Sequence, residues 1–400
     1  MTESGRPIVA GGGAAGLAAC LTLEAAGHAP ILLESSDRLG GRLRTERMDD
    51  GTPVDVGFQV LLTAYPELQR WVDASALEPV SFVPGAMIRK AGRWKTVADP
   101  RRWPSSILAT LTSGVGHWGD RIRILRLVGE ACSGSPESIQ NGGRAGTTLA
   151  FLRERGFSDA FIREFLQPFF SGIFLDADLT PPPDQFLYTL RMFASGSVVR
   201  PTAGIEALVH QLVSRLERTD IRLNSRVVST TANSVTVEGG TTLEGGGVIS
   251  TVERREDVQW NAAFNAVFAC ENASFGRPII GLLPEAQCVT NLHFMEDVQG
   301  QEGKGKLNVT ALPVPGSLDA DAMESRVKQD LEAAGFSVGA CLWRTWIRQA
   351  LPALPTVAAT PDPVVSEEGV YLAGDHLAAP SLDAALRSGR VAAEHWIKTR

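Results

Sequence analysis

The fold is decided by one stretch near the N-terminus, IVAGGGAAGLAACLTLEAAGHAPILLE, which covers residues 8–34. It begins with a short apolar run that is typical of a buried strand. A glycine-rich turn follows, and then an alanine- and leucine-rich segment over residues 14–26 that should be helical. A second apolar run over residues 29–33 ends on Glu34. A strand, a glycine turn, a helix, a strand and an acid in this order predict a dinucleotide-binding unit.

The glycine spacing explains how such a unit would hold a pyrophosphate. In the pattern G-x-G-x-x-G the first glycine makes a tight turn, the second lets the phosphates approach the backbone, and the third lets the helix pack closely. The positive end of the helix then faces the phosphates, and an acid at the tip of the second strand accepts hydrogen bonds from ribose hydroxyls. The predicted contacts are Gly11, Gly13, Ala14, Ala15, Gly16, Glu34 and Ser35.

A second glycine-rich loop follows Glu34 directly, in SSDRLGGRLRT (residues 35–45), and GTPVDVGFQVL (residues 51–61) comes after it. These segments resemble the flavin amine oxidase superfamily, which includes protoporphyrinogen oxidases and phytoene desaturases. The resemblance implies that FAD is the dinucleotide. It places Gly40, Gly41 and Arg42 along the FAD, and a further three residues near the isoalloxazine ring. Those three are Gly57, Phe58 and Gln59.

Two later segments extend the resemblance. GVYLAGDHLAAPSLDAALRSGRVAA (residues 369–393) is similar to the C-terminal FAD motif of the superfamily, and residues 221–237 are similar to its two-stranded insert. The insert implies a backbone contact between Val227 and the adenine. In the C-terminal motif, Asp375 would bind the ribityl or phosphate part of FAD, and a helix starting near Ser381 would point its amides at the flavin. The implied contacts are Gly374, Asp375, Ser381, Leu382 and Ala385.

The order of these segments implies interleaved domains. We expect an α/β fold in which a Rossmann-like (GR2-type) FAD-binding domain is formed by residues 1–65, 204–252 and 352–400. An α+β substrate-binding domain would comprise residues 66–203 and 253–351. The FAD should be held non-covalently, because covalent members of the superfamily attach it through a cysteine near the C-terminal motif, and no cysteine follows Cys341.

Composition limits the other function classes. The chain has 400 residues, 44% of them hydrophobic, and a net charge of −7 without a basic tail, so nucleic acid is an unexpected partner. The five cysteines are scattered without C-x-x-C spacing, which indicates free thiols in a reducing compartment and no metal site. Residues 1–7 are polar and no apolar run is long enough to span a membrane, so we expect a cytoplasmic location, with peripheral membrane association as an alternative.

The resemblance implies a reaction class but not a substrate. We expect hydride transfer from an apolar, bulky small molecule to flavin N5, as in a dehydrogenase, desaturase or oxidase. A flavin-dependent isomerase without net redox change, an amine oxidase and a flavin-binding protein without turnover are the alternatives. The oligomeric state and the electron acceptor stay open.

No catalytic side chain can be assigned from the sequence. Trp343 and Trp346 either wall the cavity or pack in the core, and His376 either donates to the flavin or substrate or belongs structurally to its loop. Ser381 stands where amine oxidases of the superfamily place a tyrosine that frames the substrate nitrogen, and no lysine lies at a convincing position. Abundant phenylalanines over residues 151–193 favour an apolar cavity, if they line it rather than fill the core.

One further stretch, over residues 101–126, mixes tryptophan, isoleucine and leucine with five arginines. This composition suits an interfacial helix that dips into a bilayer. It also suits an ordinary amphipathic helix whose apolar side packs on the domain and whose arginines face water. We favour the second interpretation from the sequence.

Overall fold

The computed structural model describes residues 5–57, 60–252, 258–314, 319–361 and 364–400. Two large sheets organise these residues, one parallel with five strands and one mixed with seven. Helices pack on both of them. The predicted contacts Phe58 and Gln59 lie outside the described residues.

The strands are short in the parallel sheet and long in the mixed one. They are β1 (Pro7–Ala10), β2 (Ile31–Leu33), β3 (Thr45–Arg47), β4 (Pro53–Asp55), β5 (Leu61–Leu62), β6 (Pro79–Ser81), β7 (Gly85–Lys90), β8 (Arg93–Ala98), β9 (Val198–Pro201), β10 (Asp220–Arg222), β11 (Val227–Thr230), β12 (Ser234–Val237), β13 (Thr242–Glu244), β14 (Gly247–Ser250), β15 (Gln259–Cys270), β16 (Ile280–Leu282), β17 (Val289–Phe294), β18 (Lys306–Ala311), β19 (Val338–Ala353) and β20 (Tyr371–Leu372).

The helices concentrate between β8 and β9 and at the two ends of the chain. They are α1 (Ala14–Ala25), α2 (Pro66–Trp71), α3 (Ile107–Thr112), α4 (Trp118–Ser133), α5 (Pro136–Gln140), α6 (Thr148–Glu154), α7 (Asp159–Phe161), α8 (Gln167–Phe174), α9 (Pro183–Ser195), α10 (Glu206–Val213), α11 (Glu296–Gln299), α12 (Ala320–Ala333) and α13 (Leu382–Lys398). A π-helical turn (Ile162–Leu166) joins α7 to α8.

The parallel sheet has the strand order β10-β2-β1-β14-β20, so segments from both ends of the chain and from its middle meet in it. Strands β1, β2 and β14 are buried throughout, because both faces of the sheet are covered there, whereas the edge strand β10 is polar and partly exposed. Helices α1, α10 and α13 share a core with one face. Ile8, Ile31 and Val248 point to the other face and pack against Val235 of β12. This arrangement is the α/β, Rossmann-like fold expected from the sequence.

The insert differs from the prediction in its number of strands. Residues 221–237 were expected to form a two-stranded unit, but residue 221 belongs to β10 of the parallel sheet, and the insert is the three-stranded antiparallel sheet β11-β12-β13. The third strand forms because β13 pairs with β12 and makes it the central strand, which buries Val235 completely. The sequence also placed a domain boundary at residue 352, which lies inside β19.

The mixed sheet has the order β19-β15-β18-β17-β16-β7-β8 and two chemically different faces. Alternate residues of β18, such as Leu307 and Val309, pack with Met323 and Val327 of α12 in one core. The residues that alternate with these along each strand point to the opposite face of the sheet. On that face the sheet carries buried polar residues: Asn265, Asn291, His293, Asn308 and Thr310.

The helical layer supplies the third core of the protein. Phenylalanines from α6, α8 and α9 pack edge to face, as in the pair Phe170–Phe186 with ring centroids 4.6 Å apart. Helix α8 also lies against β17, since a Cβ at Gly172 would approach Asn291 Nδ2 to 2.4 Å. A cavity therefore forms between this layer, the polar face of the mixed sheet and the parallel-sheet region.

Candidate active site

The glycine turn after β1 has the geometry that its spacing predicts. Gly11 has a φ of +101°, a left-handed conformation that an L side chain rarely adopts. A Cβ at Gly16 would lie 1.9 Å from the carbonyl oxygen of Gly11, so α1 packs directly on the turn. The turn and the close packing thus need glycine for two different reasons.

The N-terminus of α1 is suited to bind an anion. No side chain caps it, and its first turn contains no acidic residue. The N–H groups of Ala14 and Ala15 therefore have no side-chain acceptor in the cap, as helix N-termini that bind phosphate require. A Cβ at Gly13 would meet only the Cα of Gly41, at 4.0 Å, so a side chain here would fill the space before the helix. These features fit a pyrophosphate in front of α1.

The two glycine-rich loops adjoin each other. The Gly40 N–H donates to the carbonyl oxygen of Gly12 at 2.9 Å, and Gly13 forms a parallel bridge with Gly40. A Cβ at Gly41 would approach the Cα of Gly13 to 3.3 Å. The loops that the sequence assigned separately to the dinucleotide therefore form one cradle, and larger side chains would close it.

Glu34 is buried at the carboxyl end of β2 and already binds the glycine turn. The Gly12 N–H donates to its Oε2 at 2.7 Å, and the Ser36 N–H donates to its Oε1 at 2.9 Å. The Ser35 hydroxyl donates to Oε1 at 3.1 Å. The Ser36 hydroxyl also lies 2.9 Å from Oε1, whereas the Gly12 N–H is the one described donor to Oε2, so Oε2 retains a lone pair for a ribose hydroxyl. The sequence analysis did not anticipate the role of Gly12 in holding this carboxylate.

Arg42 and Asp375 join the second glycine loop to the C-terminal motif. Arg42 Nη2 donates to Asp375 Oδ1 at 2.6 Å, and Arg42 Nη1 donates to the carbonyl oxygen of Ala350 at 3.1 Å. The guanidinium also lies 5.4 Å from the ring centre of Trp260. Burial disfavours the charge of Arg42, but the Asp375 carboxylate outweighs it and raises the pKa of the guanidinium. Contacts within the protein thus position both of these predicted cofactor contacts.

The short 3-10 turn Asp375–Leu377 positions the rest of the C-terminal motif. The Gly374 N–H donates to the Ser388 hydroxyl of α13 at 2.8 Å. His376 is buried, and a Cβ at Gly374 would lie 2.2 Å from its imidazole. His376 does not belong to the lining of the cavity described below. This placement favours the structural interpretation of His376 over the catalytic one.

Helix α13 begins where the sequence predicted. The Ser381 hydroxyl caps it by accepting the Ala384 N–H at 3.1 Å. Leu382 lines the cavity, whereas Ala385 is buried. Ser381 therefore serves as a helix cap and provides no aromatic face for a substrate.

A buried polar network lies behind the start of α13. Asp383 is fully buried and accepts hydrogen bonds from the hydroxyl of Tyr188 and from Arg387, both at 2.8 Å. The backbone N–H of Glu67 donates to the other Asp383 oxygen at 2.7 Å. Burial raises the pKa of Asp383, although Arg387 opposes this. The network connects α13 to α2 and α9. No sequence motif predicted it.

Two further predicted contacts, Gly57 and Val227, lie in different parts of the fold. Gly57 lies in a small polar pocket with Asp55, Arg200 and His293. Val227 lies in β11 and packs on the same face of the parallel sheet as Val235.

A large cavity, of about 620 Å³, lies within the described part of the chain. Its wall is mostly apolar, and Phe161, Phe165, Phe169, Phe170 and Phe193 belong to it. Other phenylalanines of the same segment, such as Phe186, are fully buried in the core. Part of the phenylalanine-rich segment therefore lines the cavity and part fills the core, and Phe161 and Phe170 do both.

The cavity touches two predicted cofactor-binding segments. Leu43 follows the loop of Arg42, and Leu382 follows Ser381, and both leucines line the cavity. Asn291, from the polar face of the mixed sheet, lines it as well. A ligand in this space would therefore lie beside whatever these two segments bind.

Tyr65 is a cavity residue that the sequence analysis did not single out. It stacks on Tyr188 with ring centroids 6.2 Å apart. Burial and the nearby charge of Asp383 raise the pKa of Tyr65, so its hydroxyl keeps its proton at neutral pH. It can donate a hydrogen bond but is a poor base. A tyrosine in an ordinary loop before α2 carries no local signal of this role.

The two tryptophan candidates do not line the cavity. Trp343 packs with Met48 and Val54, and its indole N–H donates to Glu46 Oε2 at 3.2 Å. Trp346 packs edge to face on Phe264. Among the lysines, Lys306 is bound to Asp50 at 2.7 Å and is also absent from the lining.

Three negative findings hold for the described residues. The five cysteines are free, and no group of histidine, cysteine and acidic side chains could hold a metal ion. Helices long and apolar enough to cross a membrane are absent from the same part of the chain.

The fold is shared with solved structures of low sequence identity. A candidate protoporphyrinogen oxidase from Exiguobacterium sp. 255-15 superposes with a TM-score of 0.70 at 17% identity, covering 99% of both chains. A CLA-producing fatty acid isomerase from P. acnes superposes with a TM-score of 0.73 at 15% identity, also covering 99% of both chains. These similarities establish the architecture.

Sequence similarity to curated proteins is local. The 15-cis-phytoene desaturase of Capsicum annuum is 42% identical over 62 residues, which are 16% of this chain and 11% of the desaturase. A family model covers far more of the chain, and the superfamily resemblance is confirmed. Because the model for flavin containing amine oxidoreductases matches residues 14–258, more than half of the sequence, this protein belongs to that family of flavin-dependent oxidoreductases.

Proposed function

We propose that the protein binds FAD non-covalently and oxidises a bulky, apolar small molecule, as a dehydrogenase, desaturase or oxidase. The observation that carries this proposal is the apolar cavity of about 620 Å³ whose wall includes Leu43 and Leu382. A cavity of this size suits a ligand of drug-like dimensions or larger.

The adenosine half of FAD would lie at the parallel sheet. Glu34 and the uncapped N-terminus of α1 supply the acceptor and the donors that a ribose and a pyrophosphate need. The absence of a cysteine after Cys341 supports a non-covalent flavin. Burial raises the pKa of the Cys341 thiol to about 11, which leaves it protonated and unreactive at neutral pH.

The cofactor, when bound, supplies a hydride acceptor at N5. The residues of the chain position the substrate and exclude water. Phenylalanines such as Phe165 and Phe169 wall the substrate on the helical side, and Asn291 contributes an amide from the sheet. Tyr65 donates a hydrogen bond to a polar group of the substrate, if the substrate carries one.

An isomerase without net redox change is the second candidate. The fold similarity to a fatty acid isomerase favours it, and the cavity suits an acyl chain equally well. An amine oxidase is the third, in keeping with the family's description. It is disfavoured because Ser381, where amine oxidases of the superfamily place a tyrosine, caps a helix, and because the described cavity wall includes no lysine.

Anaerobic stopped-flow mixing tests the proposal. The protein should purify yellow, and acid precipitation should leave the colour in the supernatant. Isoprenoid or polycyclic compounds should bleach the oxidised flavin band, whereas simple monoamines, diamines and polyamines should not. Fast bleaching by a primary amine would restore the amine oxidase assignment. Turnover that requires a reductant and yields an isomer would identify the second candidate.

A further inference from the structure

Large hydrophobic side chains are exposed at one place on the surface more than elsewhere. Ten such residues are exposed among those described, and five of them lie between positions 107 and 125. Their exposed fractions range from 45% to 72%. We call these five residues the α3–α4 patch: Ile107, Leu108, Trp118, Ile122 and Leu125.

Four of the five patch residues also belong to the cavity wall. Trp118, Ile122 and Leu125 follow each other at spacings of four and three on α4, so they share one face of the helix. Together with Ile107 they also line the cavity. The same side chains are therefore exposed to solvent and part of the cavity wall, which makes them its rim. The sequence-based preference for a helix with its apolar side packed on the domain does not describe these residues.

The surroundings of the patch are basic. Residues 101–126 contain five arginines and one acid, although the whole chain has a net charge of −7. The acid, Asp120, is fully buried and accepts hydrogen bonds from Ser158. Arg121 stacks over Trp118 at 5.0 Å, and the structure describes no ion pair for the exposed Arg126.

We propose that the α3–α4 patch docks on the surface of an anionic lipid bilayer. The apolar rim would enter the headgroup–acyl boundary while the arginines bind anionic headgroups. The cavity would then open into lipid rather than water.

The positive charge around the α3–α4 patch favours an anionic bilayer over a second copy of the chain as its partner. Arg101 and Arg123 are paired with Asp99 and Asp120 within the chain. A symmetric dimer through the patch would still set Arg102, Arg121 and Arg126, for which the structure describes no ion pair, against the same three arginines, which is unfavourable. An anionic bilayer complements both the apolar side chains and the positive charge. This inference stands or fails independently of the reaction proposed above, because vesicle binding is measured without turnover.

Co-sedimentation with vesicles tests the inference on the full-length holoprotein. The probes are phosphatidylcholine vesicles with and without about one quarter phosphatidylglycerol. Leu108→Asp is the diagnostic variant because Leu108 is 72% exposed and does not line the cavity. Leu342→Asp is its matched control, since Leu342 is 41% exposed on β19, outside the patch. Arg126→Glu and the exposed Arg218→Glu form a second pair that varies charge alone.

The wild-type protein should bind the anionic vesicles at least about tenfold more tightly than the neutral ones, and added salt should weaken this binding. Leu108→Asp and Arg126→Glu should each weaken it about tenfold, whereas Leu342→Asp and Arg218→Glu should retain it. Absent binding to anionic vesicles, or equal binding by Leu108→Asp and the wild type, would overturn the inference. A dimer in vesicle-free solution that Leu108→Asp dissociates would also overturn it, by assigning the patch to a second copy.

Discussion

Arg42 and Asp375 lie 333 positions apart in the sequence and form an ion pair of 2.6 Å. The Asp375 side chain is almost completely buried, whereas that of Arg42 is partly exposed. One residue belongs to the loop after β2 and the other to the turn before α13. The two ends of the predicted FAD site are therefore connected by a charge-assisted hydrogen bond within the protein itself.

The first prediction concerns this pair. Asp375→Asn removes the charge that holds Arg42, and the neutral amide cannot replace the ionic hydrogen bond. The flavin dissociation constant should rise at least about tenfold, measured by flavin titration of the apoprotein. Asp321→Asn is the control, because Asp321 pairs with Arg344 at 2.5 Å on the surface. It should leave flavin affinity unchanged, and equal effects of the two variants would contradict a special role for Asp375.

The second prediction concerns Glu34. Glu34→Ala removes the acceptor of the Gly12 N–H and of the ribose hydroxyls predicted to bind there. Two charge-assisted hydrogen bonds are worth about 1.5–3 kcal/mol each, so flavin affinity should fall at least about tenfold. Glu24→Ala is a matched control, since Glu24 also accepts backbone N–H groups, those of Glu217 and Arg218. It should lower the melting temperature without changing flavin affinity. Unchanged affinity in Glu34→Ala would mean that the adenosine lies elsewhere.

The third prediction concerns the contact between α1 and α13. A Cβ at Gly389 would lie 1.9 Å from the carbonyl oxygen of Ala15. Gly389→Ala must therefore push the helices apart, which should cost about 1–3 kcal/mol and weaken flavin binding at α1. Gly129→Ala, within α4 where a Cβ meets nothing within 4 Å, should instead stabilise the protein by up to about 1 kcal/mol. Denaturant unfolding of both variants measures the difference, and a neutral Gly389→Ala would contradict the close packing.

The sequence predicted those parts of the fold that local patterns encode. Strand β1, the turn at Gly11, helix α1 and strand β2 follow each other directly, so periodicity and glycine spacing are sufficient. The Arg42–Asp375 pair and the Tyr65 side chain of the cavity depend on contacts between distant segments, which leave no local pattern. The resemblance to the superfamily identified the two segments that contain Arg42 and Asp375, but it did not predict the ion pair between them.

The α3–α4 region shows a second limit. Its sequence indicates which side chains share a helical face, as Trp118 and Ile122 do. The sequence does not indicate which face of the helix meets solvent, because apolar and charged side chains are mixed along this segment. Burial is decided by the neighbouring elements. Here Leu127 and Val128 of α4 are buried, whereas Trp118, Ile122 and Leu125 at the cavity stay exposed. The third strand of the insert was missed for a related reason, since strand pairing depends on partners and not on periodicity alone.

The fourth prediction is a pH dependence of stability that arises from His293. Burial, assisted by the positive charge of Arg200, lowers the pKa of His293 from 6.5 to about 3. At pH values between these two pKa values, the unfolded chain binds a proton that the folded chain does not bind. The contribution of His293 to the free energy of unfolding is therefore fully present above pH 6.5 and is lost as the pH falls. The free energy of unfolding should drop by about 2 kcal/mol between about pH 7 and pH 5 through this group.

His293→Gln should remove this contribution to the slope, whereas the exposed His210→Gln should retain it. Denaturant unfolding at a series of pH values separates the two variants, because all other titrating groups are common to both. Parallel stability curves for His293→Gln and the wild type would contradict a neutral buried histidine.

The last prediction uses the titratable groups of the cavity to distinguish an apolar substrate from an amine. Burial raises the pKa of Tyr65, and the pKa of Asp99 is held below its usual range because hydrogen bonds from Arg101 outweigh its burial. The described lining contains no histidine, lysine or cysteine. The anaerobic rate of flavin reduction by an apolar substrate should therefore stay constant between about pH 6 and pH 9. A rate that rises with pH over this range would indicate deprotonation of the substrate itself, as an amine requires, and would contradict the proposed substrate class.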